Sequence, residues 1–394
     1  MRLIPSSAAT RQTQRVGRSL AVLASLTAPP QPSATRRSLT EPWANVTVLG
    51  GTSSIGAPLS ACLKLDPLVR RVSMWAHSNP NLGAIAEDIR HLPSAATVTD
   101  TFDLDAALEG ADVVAICAGV AHLSAEMTRA DLMEYNAPII ARLAERVAAI
   151  CPGALLLVVS NPPNILVPIA AEVLRAHGAY DARKLFGVSQ LDSYRARSFA
   201  AAAARVDPAS LDVPVLGGHD GVTMVPHFSA ATPAGSLDQL SSSQLDELSR
   251  RVRTVGIDIV QLRGGVGSAA QGPARVCAEF AHRLLRARAG ATDDVRDCVY
   301  CASDLGHAPF FASPVTLGRE GVEQFLPIGA LDEAEAALWA SAVPELNAQI
   351  EIGLRWAQRH LESQTRATAD GEAWPRDPCI LSEDTLAVVG DPCS

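Results

Sequence analysis

A chain of 394 residues with 48% hydrophobic and 19% charged content can bury one large core or two adjoining ones, which excludes a disordered protein. Residues 1–40 hold six arginines (Arg2, Arg11, Arg15, Arg18, Arg36, Arg37), no lysine and no acid, so taking six positive charges from the net −9 leaves the rest near −15. A body that acidic excludes general nucleic-acid binding, which depends on cations neutralising phosphates.

Residues 1–43 are rich in Arg, Ser, Thr and Ala and meet their first acid at Glu41. This composition suits an organelle-import peptide, mitochondrial in the first instance, with a cytoplasmic protein as the alternative. A mis-assigned start codon, or a secretory signal built on Leu20-Ala21-Val22-Leu23-Ala24, are the competing readings. From residue 44 the pattern alternates. Val46–Leu49 is β-rich, Gly50 and Gly51 follow, and a helix is expected over Ile55–Leu65. Strands fit Arg71–Trp75, Asp112–Cys117, Leu155–Ser160 and Leu185–Val188, with helices between them. Such alternation predicts α/β architecture: a Rossmann-like, doubly wound parallel sheet over residues 44–188. Leu155–Val167 is the longest apolar stretch, and Ser160-Asn161-Pro162-Pro163-Asn164 breaks it, so no membrane span is expected.

Residues 189–361 read as a second, α+β catalytic domain. A helix near Gln190–Arg205 leads to an apolar strand at Asp212–Leu216 and the turn Gly217-Gly218-His219-Asp220-Gly221. Helices fit Leu237–Arg263 and Ser268–Arg288, and Cys298–Leu317 reads as a hairpin closed by Gly318-Arg319-Glu320-Gly321. Apolar residues from Trp339 to Leu361 recur every three or four positions, which marks an amphipathic terminal helix with Pro344 as a potential kink. Residues 362–394 read as an irregular tail. The eight cysteines are scattered, and no second pair or histidine cluster joins Cys298 and Cys301 to make a zinc site. Alternation along a strand puts those two thiols on opposite faces.

Three groups of residues suggest chemistry. Gly50-Gly51-Thr52-Ser53-Ser54-Ile55-Gly56 follows a strand and opens a helix, the placement that offers backbone amides to a pyrophosphate; a plain strand-to-helix turn is the other reading. Ser53 stands where a second glycine would allow closer approach. The second strand ends in Ala76 rather than an acid that would hold the adenosine ribose, which weakens NAD recognition, makes room for NADP, or removes nucleotide binding altogether. His219 sits in a glycine-rich turn and has the ring for proton exchange near neutral pH. Asp192 and Arg195, at i and i+3, share a helix face; the acid could orient His219 and the guanidinium could fork onto a carboxylate.

These residues together resemble the lactate/malate dehydrogenase family, and the mitochondrial-type malate dehydrogenases most closely. The resemblance runs from Val46 to Ala357 through Ala118-Gly119-Val120, Met127-Thr128-Arg129, Ser160-Asn161-Pro162-Pro163-Asn164, Leu191-Asp192-Ser193-Tyr194-Arg195-Ala196 and Val213-Pro214-Val215-Leu216-Gly217-Gly218-His219. It implies that His219 moves the proton with Asp192 orienting it, and that Arg195 holds the C1 carboxylate. It further implies that Arg129, on a mobile loop, polarises the carbonyl. Asn161 would contact substrate and cofactor; Asn136 and Ser160 would join the glycine loop and Ala76 around the cofactor. NAD is the implied cofactor, NADP the alternative, and a homodimer without nucleic-acid or membrane partner the implied assembly.

Several positions depart from the family. Its distal-carboxylate arginine is replaced by His122 or Leu123, depending on the direction of counting. Pro273 stands where methionine is frequent, and Asp220 beside His219 is expected to raise the imidazole's pKa. The expected activity is hydride transfer between NAD(P) and a 2-hydroxy or 2-oxo acid, malate and oxaloacetate by default. A dehydrogenase for an apolar monocarboxylic 2-oxo acid and a catalytically silent structural subunit are the alternatives.

Overall fold

In a computed structural model of the chain, residues 37–121, 124, 127–291 and 295–369 are described. The first half alternates without interruption: β1 (Ala44–Leu49), α1 (Gly56–Lys64), β2 (Val69–Trp75), α2 (Leu82–Arg90), β3 (Thr97–Thr101), α3 (Leu104–Leu108), β4 (Val113–Ile116), α4 (Arg129–Ile150), β5 (Leu155–Val158), α5 (Pro163–Ala176) and β6 (Leu185–Gly187). These strands lie parallel in the order β3-β2-β1-β4-β5-β6. The chain steps outward from β1 and then returns beside it at β4, which opens a crevice at the carboxyl ends of the two strands. Continuous apolar runs make these strands because both faces are covered. Val114, Ile116, Leu156 and Val158 enter one core, while Val113, Ala115, Leu155 and Leu157 enter the other.

The second half contributes α6 (Gln190–Ala204), β7 (Val215–Gly217), β8 (Met224–Pro226), α7 (Ser242–Leu262), α8 (Gln271–Ala289), β9 (Arg296–Ala302), β10 (Phe310–Gly318), β11 (Gly321–Phe325) and α9 (Glu333–Ala369). Its strands extend the same sheet. β9 joins β6 antiparallel through Phe186–Cys301 and Gly187–Tyr300; β10 lies beside β9, and β7 and β8 follow. A third core beneath α6 and α7 includes Ala200, Val213, Met224 and Val252.

Four expectations change. The helix expected from Leu237 begins at Ser242, because Ser241 and Gln244 form a reciprocal capping box there. α9 continues through Pro344 to Ala369, so residues 362–369 are helical rather than irregular; residues 370–394 lie outside those described. Gly318–Gly321 joins β10 to β11 and closes a second hairpin. Arg37, counted above with the import segment, pairs with Asp112 at 2.6 Å and stacks on Trp43, so the body begins before residue 44; residues 1–36 lie outside those described. Cys298 and Cys301 do enter opposite cores, and the six described cysteines are free thiols. Among the described residues no helix is long and apolar enough to cross a membrane.

Candidate active site

The glycine loop leaves β1 at Gly50, whose φ of +89° favours glycine, and a Cβ there would fall 2.5 Å from the Ala118 amide at the end of β4. A Cβ on Gly56 would lie 2.0 Å from the Gly50 carbonyl oxygen. The glycines therefore set how tightly the turn closes over the crevice. Ser53, Ser54 and Ile55 of the turn line the pocket, and Gly50, Gly51, Thr52 and Gly56 do not. Ser53 Oγ accepts a hydrogen bond from the Gly56 amide at 2.9 Å, so its hydroxyl caps the start of α1 instead of projecting outward. The Thr52 hydroxyl is buried without a partner among the described residues.

Two residues expected at the cofactor are placed differently. Ala76 is fully buried in the core at the end of β2 and offers the pocket no side chain. Asn136 is buried within α4, where its Oδ1 accepts from the Val120 amide at 2.7 Å. Its Nδ2 donates to the carbonyls of Val120 (3.0 Å) and Asn161 (2.7 Å). It clamps the loops after β4 and β5 together and is a positioning residue. Ser160 lines the pocket, but its hydroxyl is turned inward to the carbonyls of Ile116 and Ala118. Asn161 lines the pocket beside it. Arg129 occupies the first position of α4, just after the Thr128 cap, rather than a loop; its side chain, like His122 and Leu123, lies outside what is described.

The second half completes the cleft. β7 ends at Gly217, and the turn that follows carries His219 to the pocket wall. A Cβ on Gly218 would sit 2.5 Å from Thr223 Oγ1 and 2.6 Å from Asn164 Nδ2, so only glycine fits. Asn164, buried in α5, accepts from the His219 amide at 2.8 Å and donates to Thr223 Oγ1 and to Gln349 of α9. Gln349 donates in turn to Asp220 at 3.3 Å, and the Val222 amide also donates to that carboxylate. These contacts hold the turn rigid from below.

Asp192, in the first turn of α6 and 1% exposed, lies 2.5 Å from His219 Nδ1. A carboxylate only accepts, so Nδ1 carries the proton and Nε2 is the basic atom of the neutral ring. Arg195 Nη1 lies 3.6 Å from the other oxygen of Asp192. Burial pulls the Arg195 guanidinium below its ordinary value, with Asp192 opposing the shift. Arg195 makes no closer contact with an acid among the described residues, so it is a desolvated cation poised for an anion. Arg253 and Gly256 of α7 complete this wall, and sequence reasoning missed them. Pro273 lines the pocket from α8.

Similarity to known proteins identifies the family. Residues 44–187 match the model of the lactate/malate dehydrogenase NAD-binding domain, and residues 189–356 that of the α/β C-terminal domain. The chain is 41% identical to malate dehydrogenase 1, mitochondrial, of Arabidopsis thaliana over 81% of this chain and 92% of that one. It is 38% identical to the malate dehydrogenase of Actinobacillus succinogenes over 79% and 98%. The crystal structure of Cryptosporidium parvum malate dehydrogenase superposes with a TM-score of 0.68 at 26% identity, over 79% of this chain and 98% of that one. The chain belongs to the lactate/malate dehydrogenase family, as an NAD-dependent oxidoreductase of the malate dehydrogenase type.

Proposed function

We propose that the chain interconverts a 2-hydroxy acid and its 2-oxo acid, with malate and oxaloacetate as the pair. The observation that carries this reading is the 2.5 Å contact of His219 with buried Asp192, in the same cleft as Arg195 and the turn at Ser53–Ile55. The site fits a dinucleotide: a glycine-shaped turn opens a helix beside the cleft, and Gly119, which lines the cleft after β4, holds φ +149°. NAD, when bound, would supply the hydride acceptor.

The side chains supply the rest. Arg195 forks onto the C1 carboxylate and fixes C2 near His219. As the C2–H bond gives up its hydride, His219 Nε2 takes the hydroxyl proton, and Asp192 stabilises the imidazolium that forms. Reduction runs the same path backwards, with the imidazolium protonating the new alkoxide. Arg129 polarises the carbonyl in that direction, and Asn161 orients substrate against cofactor.

Steady-state NADH oxidation tests the substrate assignment. Oxaloacetate is expected to exceed apolar 2-oxo acids in kcat/KM by about tenfold or more. The reverse order would support the monocarboxylate reading drawn from Leu123. The silent-subunit reading draws on Ser53 capping Gly56 and on Ala76, and NADH fluorescence addresses it. Saturable binding supports the enzyme, and none at about 1 mM cofactor contradicts it.

We propose further that NADPH is accepted, because no acid at Ala76 repels a 2′-phosphate. The NADPH/NADH ratio of KM is expected to lie within about tenfold of one; a ratio above about a hundredfold would contradict this. The arginine-rich, acid-free residues 1–36 support import into mitochondria, which fractionation of cells expressing the full chain would check. Family membership supports a homodimer, for which a sedimentation mass of twice the chain is expected.

A further inference from the structure

We infer that Arg253 takes the substrate's second carboxylate, an inference that rests on the dehydrogenase reading above. A four-carbon diacid brings two carboxylates into the cleft, and each desolvated carboxylate needs a cation. Arg195 serves one. The segment from Ala121 to Met127, which follows the end of β4, contains no arginine to serve the other.

Arg253 meets the geometric requirement. It springs from α7 and donates from Nε to the Gly221 carbonyl at 2.6 Å. Gly221 lies two residues beyond His219 on the same turn, and all three residues line the cleft. The tie through Nε anchors the guanidinium to the turn that carries His219. Among the described residues its two Nη groups have no hydrogen-bond acceptor and no acid within ion-pair distance. Gly256, one helical turn further along α7, is where Arg195 arrives: a Cβ there would sit 3.8 Å from Arg195 Nη1. Arg253 and Gly256 stand at i and i+3 on α7, so both guanidinium groups meet the same face of that helix within one cleft. Gly256 leaves the space between them open.

Charge on the far side of Arg253 favours the same placement. The neighbouring cavity that it also borders carries four acids, Asp246, Asp332, Glu333 and Glu335, against one further cation, Arg250. Those acids repel a carboxylate and direct it to the Arg195 side.

A structural tie to the His219 turn and a substrate clamp make different predictions for Arg253→Gln. The measurement is kcat/KM with NADH for oxaloacetate and for 2-oxobutanoate, which matches it in length but lacks the second carboxylate. The clamp predicts that the oxaloacetate/2-oxobutanoate ratio falls about a hundredfold in Arg253→Gln, mainly through the KM of oxaloacetate, with Arg253→Lys in between. A ratio held within about twofold, including equal losses on both substrates, overturns the assignment and leaves Arg253 as a tie for the turn. An unsubstituted chain inert towards every 2-oxo acid overturns the dehydrogenase reading and this inference together. An active one with an unmoved ratio overturns only the inference.

Discussion

Replacing His219 with asparagine is expected to lower kcat for oxaloacetate reduction by about 10²–10⁴-fold while leaving NADH affinity within about twofold. The asparagine retains a polar group at the end of the turn but cannot exchange a proton near neutral pH. His219 lines the cleft, and its backbone amide remains available to Asn164, so the turn is expected to keep its shape. Asp192→Asn is the companion variant. Its amide can accept from Nδ1 or donate to it, so the tautomer is no longer enforced and the imidazolium loses its counter-charge. A smaller fall in kcat is expected, again without loss of NADH binding. The double variant should be little worse than His219→Asn alone, because the aspartate acts only through the imidazole. Stopped-flow measurement of the hydride step for the three variants checks this, and additive losses would contradict it.

Arg195→Gln has the second-largest expected effect, and its signature differs. Removing the fork from the C1 carboxylate is expected to cost about 2–5 kcal/mol in kcat/KM, with loss in both kcat and KM because the substrate is no longer held in register with His219. Arg195→Lys keeps the charge but not the planar pair of donors and should recover only part of the loss. Thermal stability should move differently. The guanidinium is mostly buried, its nearest acid is 3.6 Å away, and burial depresses its affinity for the proton. An under-compensated buried cation is a cost to the folded chain, so Arg195→Gln is expected to melt no lower than the original protein in the absence of ligand. A clear fall in Tm together with the activity loss would mean that Arg195 is held for structure rather than for substrate.

The contrast between local and distant contacts explains what the sequence made legible. The parallel half was readable because burial on both faces leaves Val113–Ile116 and Leu155–Val158 as unbroken apolar runs, and the glycine turn sits where β1 must yield to α1. Asp192 and Arg195 were readable as a pair because helical spacing alone puts them on one face. Their convergence with His219 came from the family resemblance, since a contact across 27 residues leaves no local periodicity. Joining of the two halves into one sheet depends on Phe186 and Gly187 meeting Cys301 and Tyr300, which no local signal announces.

What the sequence left unread has similar causes. Asn136 occurs at a familiar position, yet its amide is spent on Val120 and Asn161, 16 and 25 residues away. Ala76 marks a missing acid in the sequence, but only the fold shows it sealed inside the core. Asn164 belongs to a quoted motif, and its role in fixing the His219 turn appears only once α5 is set beneath that turn. Arg253 lies on a helix rich in charges, indistinguishable by pattern from solvated neighbours such as Arg250 and Arg251. α7 starts at Ser242 rather than Leu237 because Ser241 and Gln244 cap it reciprocally, and helical periodicity alone does not mark a cap.

Reduction of oxaloacetate with NADH deuterated on the transferring face of the nicotinamide tests the central claim most directly. Malate with one deuterium at C2 per NADH consumed is expected, with a hydroxyl proton drawn from solvent through His219 and loss of that product in His219→Asn. Consumption of NADH without label at C2, or labelled malate formed at an undiminished rate by His219→Asn, would contradict it.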